Sequence, residues 1–411
     1  MGKLVPMASD LLQPRDGTPP LLSTPAEFQA AADLLADGSG PFAIDTERAS
    51  GFRYDDRAFL IQVRRRGAGT LLFDPESFRP ELSRCLAPVL NGQDWIIHAA
   101  ATDLPSLAWL DLHPGTLFDT ELAGRLAGFE HVNLAAMVEQ LFDLHLLKGH
   151  GAEDWSQRPL PDGWLNYAAL DVEMLLELAE VMAEILDSQD KLDWAEQEFD
   201  YIRRQFADIT EPPTPTWTNL KGIGTLKRPE QLVVARTMWM ERDSYAASRD
   251  LAAGRVLSNK VIVETARVLP KTPHELSRVR GFPGRNPALV KRWMQVIKGA
   301  LATPRDSWPR PLPRQEGVPD RRYWSSFYPE EYEVLQAVRA DIDDLGARLD
   351  IPGENLIQPA SLRAVVWKAT NTGEIHDRES LRGVLHGYEV RPWQIEQVTP
   401  ILTGALLAKD N

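Results

Sequence analysis

The sequence predicts an α/β domain, with a mixed β-sheet flanked by helices, followed by all-helical domains. Apolar segments of strand length are confined to the first hundred residues, whereas later apolar residues recur at helical spacing. Strands followed by helices favour a sheet covered by helices. Two proline-rich segments then divide the 411 residues, a length that suggests about two to four domains.

The first domain is expected at residues 1–208. Its strand candidates are Phe42–Thr46, Leu60–Val63, Leu71–Phe73 and Trp95–His98. Its predicted helices are Glu121–Leu126, Leu134–Leu141 and Leu165–Leu186. These patterns do not determine the strand order.

Proline interrupts helices and stiffens connectors, so we place linkers at residues 209–217 and 303–320. The helical domains then occupy 218–302 and 321–411. In the first of them, Pro229–Tyr245 has helical spacing, and Thr272 and Glu275 predict a capped helix start within Pro270–Leu276. The segment Asp350–Lys368 repeats the pattern of Arg249–Arg267, which indicates tandem helical modules.

Formal charge is distributed unevenly among these parts. The whole chain carries −14. Residues 1–214 carry −20 (16 Lys+Arg against 36 Asp+Glu), residues 215–315 carry +12 (19 against 7), and residues 316–411 carry −6 (10 against 16). A phosphate backbone is therefore expected to be drawn to the middle domain.

Composition excludes several other classes of protein. No apolar run approaches the roughly 18 residues of a membrane span, so we expect no membrane partner. The first residues lack the apolar core of a signal peptide. The single cysteine, Cys85, excludes an intrachain disulfide and a cysteine-based zinc cluster, which fits a reducing cytoplasm.

Four carboxylates and a tyrosine provide the candidate site: Asp45, Glu47, Asp103, Tyr167 and Asp171. Asp45 and Glu47 are two residues apart on a predicted strand, so they share one face. Tyr167 and Asp171 are four apart on a predicted helix and also share a face. Hard divalent cations bind clustered oxygen ligands, so these residues could form a two-metal site.

The segments around them, FAIDTE, HAAATDLPSL and NYAALDVEMLL, resemble the three motifs of the DEDD superfamily of 3′-5′ exonucleases. The tyrosine places the resemblance in one subfamily, most closely the ribonuclease D family, and it covers most of the first 200 residues. It implies a ribonuclease H-like fold. The helical part that follows resembles the HRDC domain, although its usual proline-rich loop is here Ala252, Ala253 and Gly254.

The resemblance also implies roles for the five residues. Asp45 would bridge two cations, Glu47 and Asp171 would complete the site that activates water, and Asp103 would hold the second cation largely through water. Tyr167 would orient the attacking water. A carboxylate site without cysteine favours Mg²⁺ or Mn²⁺ over zinc.

Weaker candidates for substrate contact are Thr46, His98, Lys148, Arg158 and Lys221. Lys148 and Arg158 flank the third motif, and Lys221 precedes the basic domain. His150, a histidine between two glycines, is given no chemistry.

The implied activity is metal-dependent hydrolysis of RNA from single-stranded 3′ ends to nucleoside 5′-monophosphates, with tRNA precursors as a candidate substrate. A 3′-5′ DNA exonuclease of repair is one alternative, although no P-loop, helicase or polymerase module is recognisable. A catalytically inactive nucleic-acid-binding protein is the other. The preferred cation and the oligomeric state are left undetermined.

Overall fold

A computed structural model describes residues 9–146, 149–211, 214–310 and 317–407. Its strands, within those residues, are β1 (Ser9–Leu11), β2 (Leu21–Leu22), β3 (Ser39–Arg48), β4 (Ala58–Arg66), β5 (Gly69–Phe73), β6 (Asp94–Ile97), β7 (Thr116–Asp119) and β8 (Leu144–Leu146). The helices of the first 211 residues are α1 (Pro25–Asp37), α2 (Arg79–Leu90), α3 (Leu104–Ala108), α4 (Thr120–Leu126), α5 (Leu134–Phe142), α6 (Asp162–Glu173), α7 (Leu175–Ser188) and α8 (Leu192–Gln205).

The predicted mixed sheet is confirmed. Its strands lie in the order β2-β5-β4-β3-β6-β7, and β1 pairs separately with β8. The central strand β3 is antiparallel to β4 and parallel to β6. The strands that carry the first acidic motif and precede the second are therefore neighbours.

The helix predicted over Leu165–Leu186 is interrupted. Met174, with φ −106° and ψ 1°, leaves the helical conformation and separates α6 from α7. Apolar periodicity continues through the break, so the sequence pattern did not reveal it. Tyr167 and Asp171 both lie on α6 and keep their predicted spacing.

The middle helices are α9 (Pro229–Arg249), α10 (Ala253–Val256), α11 (Asn259–Val268), α12 (Pro273–Ser277) and α13 (Pro287–Ala302). They enclose a hydrophobic core of their own, which includes Leu232, Ile262 and Trp293. Thr272 caps α12 by accepting a hydrogen bond from Glu275 N, as predicted, while the Glu275 carboxylate accepts from Lys271 N.

This domain docks on the loop between β3 and β4, residues 49–57. The Asp250 carboxylate pairs with Arg53 and Arg57 at 3.3 and 3.0 Å. Ala252 N donates to Phe52 O, and Arg255 lies over the Phe52 ring at 4.2 Å. Because this loop begins two residues after Glu47, the basic domain is held next to the first acidic motif.

The last helices are α14 (Arg321–Phe327), α15 (Pro329–Leu349), α16 (Gly353–Leu356), α17 (Pro359–Trp367), α18 (Arg378–Gly387) and α19 (Pro392–Leu407). From α15 onward they repeat the helix order of α9 to α13. Unlike the middle domain, they share one hydrophobic core with the first domain. Trp393 stacks on Trp194 of α8, and its Nε1 donates to Glu198 at 2.8 Å. Among the described residues, no helix has the length and apolar character of a membrane span.

Candidate active site

Three of the predicted carboxylates converge at the centre of the sheet. Asp45 and Glu47 project from β3, and Asp171 reaches them from α6. One oxygen from each lies within 4.8 Å of the others. The alternation of the strand and the four-residue spacing of the helix therefore produce the cluster that the sequence predicts.

Asp103 is held beside this cluster. It follows a short turn that begins at Ala99, in the left-handed conformation with φ 60°. Asp119 fixes that turn, since its carboxylate accepts hydrogen bonds from Ala99 N and Ala100 N at 3.1 and 2.8 Å. The buried carboxylate of Asp103 in turn accepts from Thr46 and Thr102, at 2.6 and 2.8 Å.

The carboxylates of the acidic cluster disfavour one another's charged forms. Burial, then repulsion from Asp103 and Asp171, raises the pKa of Asp45 well above its usual range. Glu47 has a raised pKa for the same reasons, with Asp45 its strongest neighbour. Burial also raises the pKa of Asp103 and brings that of Asp171 to about 7. Buried carboxylates that repel one another in this way are stabilised by whatever neutralises their charge, whether protons or divalent cations.

Tyr167 lies beside Asp171, and its phenol interacts with that carboxylate. Burial, followed by the charges of Asp171, Glu47 and Asp45, raises the pKa of Tyr167. The phenol is therefore protonated at neutral pH and can donate a hydrogen bond.

Three residues predicted to contact substrate have internal partners. Thr46 donates to Asp103. His98 Nδ1 bonds to Thr120 Oγ1 at 2.8 Å, and burial lowers the pKa of His98 to about 4, so its ring is neutral. Arg158 is engaged by both oxygens of Asp74 and by the carbonyl oxygens of Trp155, Gln157 and Phe59. The three side chains are thus held by internal bonds, and the substrate contacts expected of them stay predictions. Lys221 is exposed, and Lys148 lies outside the described residues.

Two residues near the site were missed by the sequence reasoning. Arg48 Nη2 lies 3.9 Å from Asp103 Oδ1 and opposes the raised pKa of Asp45. His150 packs its ring against Tyr167, with the centroids 5.6 Å apart. Arg48 adjoins the first motif, which could have identified it; nothing in the local pattern around His150 indicated its neighbour.

Comparison with protein families assigns each part of the chain. A 3′-5′ exonuclease domain matches residues 21–187, and an HRDC domain matches residues 231–297. Residues 317–406 match a domain described as the C-terminal domain of 3′ to 5′ exonucleases. The last third of the chain is therefore similar to a domain that follows the nuclease domain in 3′ to 5′ exonucleases.

Individual proteins are similar over most of this length. Ribonuclease D of Acidiphilium cryptum is 28% identical over 352 residues, which is 84% of this chain and 86% of the relative. Ribonuclease D of Gluconacetobacter diazotrophicus is 28% identical over 290 residues, or 70% and 68%. A protein from Bifidobacterium adolescentis has the same fold, with a TM-score of 0.81, 32% identity and 97% and 99% coverage. Escherichia coli RNase D also shares the fold, with a TM-score of 0.66 and 21% identity over 90% and 99% of the two chains.

The fold, the acidic cluster and the matched exonuclease domain define a 3′-5′ exonuclease. The three matched domains occur here in one chain that is similar to ribonuclease D proteins over most of its length. The chain belongs to the ribonuclease D family.

Proposed function

We propose that the protein hydrolyses RNA from its 3′ end in a metal-dependent reaction and releases nucleoside 5′-monophosphates. The observation that carries the proposal is the convergence of Asp45, Glu47 and Asp171 within 4.8 Å, with the phenol of Tyr167 beside them. A cytoplasmic location fits the single free cysteine, Cys85.

The chemistry of the donor set fits two divalent cations, Mg²⁺ or Mn²⁺. Asp45, Glu47 and Asp171 would hold one of them, and Asp45 with Asp103 the other. When bound, the cations would lower the pKa of the attacking water and neutralise charge on the phosphate and the leaving oxygen. The all-carboxylate donor set supports this assignment over zinc.

The protein side chains would position the reactants. Tyr167, protonated at neutral pH, would donate a hydrogen bond to the attacking water and orient it toward the phosphate. Thr46 and Thr102 would keep Asp103 in place through the bonds described above. Asp119 would support the same carboxylate by fixing the turn that precedes it.

The basic middle domain would capture substrate. Its charge of +12 opposes the −20 of residues 1–214, and its ion pairs with residues 49–57 hold it beside the first acidic motif. Structured RNA with a single-stranded 3′ end, including tRNA precursors, is the substrate class we favour. E. coli RNase D, which has this fold, is described as an exoribonuclease involved in structured RNA processing.

The proposal is tested by incubating the protein with 5′-labelled single-stranded RNA, single-stranded DNA and immature tRNA, each with Mg²⁺, Mn²⁺ or a chelator. We expect stepwise shortening of RNA, release of 5′-monophosphates and complete loss with the chelator. Asp45→Asn tests for a contaminating nuclease. Faster degradation of DNA would favour a DNA exonuclease, and binding without cleavage would favour an inactive binding protein.

A further inference from the structure

The loop before α6 brings an imidazole onto the phenol of the active site. The ring centroids of His150 and Tyr167 are 5.6 Å apart and their planes meet at 84°, an edge-to-face arrangement. The His150 ring also lies 6.0 Å from the ring of Trp164. Edge-to-face pairs are a preferred geometry of aromatic packing, so this contact restricts the tilt of the tyrosine ring.

The position of His150 is fixed through its backbone. The carbonyl oxygen of His150 accepts hydrogen bonds from Trp155 Nε1 and Glu153 N, both at 3.2 Å. Trp155 is fully buried and packs on Trp164. The loop therefore presents the imidazole from a rigid support.

The glycines on either side of His150 suit this arrangement. Gly149 has φ 141°, which disfavours other residues. A Cβ at Gly151 would lie 3.6 Å from the phenol oxygen of Tyr167, so a larger side chain there would compete with any water that this oxygen orients.

The polar atoms of His150 do not explain its position. Its Nδ1 is 3.8 Å from Glu153 Oε1, beyond hydrogen-bond distance, and is buried with no hydrogen-bond partner among the described residues. The hydrogen bonds of the loop backbone instead place the His150 ring against the ring of Tyr167.

We propose that His150 is a positioning residue, whose ring holds the phenol of Tyr167 at the orientation needed to direct the attacking water. The inference rests on the proposed function. A small displacement of a positioned group is sufficient to slow catalysis, by up to about 10²-fold. Because the effect passes through the hydroxyl group of Tyr167, it should disappear when that hydroxyl is absent.

A double-mutant cycle tests this dependence. We would measure kcat and KM on a short RNA oligonucleotide for His150→Ala, His150→Phe, Tyr167→Phe and the double variant His150→Ala/Tyr167→Phe. His145→Ala, at a half-exposed histidine of β8, is the matched control. Thermal unfolding of every variant shows whether it is folded.

We expect His150→Ala to lower kcat about 5- to 20-fold with little change in KM. His150→Phe keeps a ring and should retain kcat within about threefold of the unsubstituted protein. In the Tyr167→Phe background, His150→Ala should have no further effect. His145→Ala should leave kcat unchanged.

Equal losses in both backgrounds, or a folded His150→Phe variant as slow as His150→Ala, would overturn the inference while leaving the exonuclease assignment intact. If His150→Ala does not fold, the His150→Phe result decides. If the unsubstituted protein does not cleave RNA, the proposed function fails and this inference with it. If Tyr167→Phe has full activity, only the roles of the phenol and of His150 are overturned.

Discussion

Asp250 and Asp350 occupy equivalent positions in the two helical domains. Each ends a 21-residue helix in the left-handed conformation, with φ 48° and 55°. Each also faces the nuclease domain. Asp250 forms ion pairs with Arg53 and Arg57. Asp350 packs against Gly128, and a Cβ atom added to that glycine would lie 2.4 Å from the Asp350 carboxylate. The two repeated modules thus use the same position, the end of their long first helix, to contact different parts of the nuclease domain.

Replacing Trp393 should destabilise the nuclease domain itself. Its ring is 2% exposed and stacks on Trp194 at 4.8 Å. We expect Trp393→Ala to lower the free energy of unfolding by about 3–5 kcal/mol, the range for large buried aromatic residues. Chemical denaturation monitored by circular dichroism measures it. A change below about 1 kcal/mol would show that the C-terminal helices merely rest on the surface.

Asp45→Asn should abolish cleavage and leave RNA binding largely intact, since it removes a charge that offsets bound cations. The metal-free variant should unfold at a higher temperature, because one charge of a buried repulsive cluster is lost. Product analysis, a binding assay and a melting curve measure these effects, with the exposed Asp37→Asn as control. Activity within about threefold of the unsubstituted protein would remove the metal-site assignment.

Tyr167→Phe should give a partial defect. The ring and its packing are kept, and only the hydroxyl that orients water is lost. Groups of this kind contribute about 10²- to 10⁴-fold to rate. Single-turnover cleavage at saturating Mg²⁺ is the measurement, and an unchanged rate would reduce Tyr167 to a packing residue.

Mg²⁺ should stabilise the protein more at pH 8 than at pH 6. The pKa of Asp171 is raised by burial to about 7, whereas an unfolded aspartate has a pKa near 3.9. The folded state therefore binds more protons, and stability from this group is lost as pH rises from about 4 to 7. Mg²⁺ bound to the deprotonated carboxylates should restore the stability that is lost with those protons. Melting temperatures with Mg²⁺ or chelator at both pH values test this, and Asp171→Asn should flatten the difference. Equal Mg²⁺ shifts at pH 6 and pH 8 would contradict it.

Removing positive charge from the middle domain should weaken the salt dependence of RNA binding. Lys221, Lys271 and Arg280 are exposed there. If each contacts one phosphate, the triple glutamine variant should lower the slope of log affinity against log salt by about 2, since each contact on a single strand contributes about 0.7. Arg378→Gln in the C-terminal domain is the control. An unchanged slope would favour protein contacts as the reason for the charge.

Local periodicity predicted the strands β3, β4, β5 and β6, several helices and the same-face pairs of the acidic cluster, whereas the meeting of those pairs was implied by the family resemblance. Asp45 and Glu47 share a face because strands alternate, and Tyr167 and Asp171 share one because helices repeat every 3.6 residues. The break at Met174 was missed because a buried helix end keeps the same apolar spacing.

Contacts between distant segments were not predictable in this way. Nothing near Trp194 or Trp393 in the sequence indicates that they stack, and nothing near His150 indicates Tyr167. Linker composition suggested separate helical modules. It did not reveal that the last module shares the core of the first domain, whereas the middle one has a core of its own.

The stack between Trp194 and Trp393 can form only after a delay during synthesis, because the two residues are far apart in the chain. α8 emerges from the ribosome long before its partner, and the roughly 190 residues in between need about 10 to 40 s at about 5–20 residues per second. Throughout that interval Trp194 lacks its stacking partner, whereas Phe199 of the same helix can already pack on Phe118 of β7. The nascent nuclease domain therefore keeps Trp194 uncovered until the chain around Trp393 has appeared.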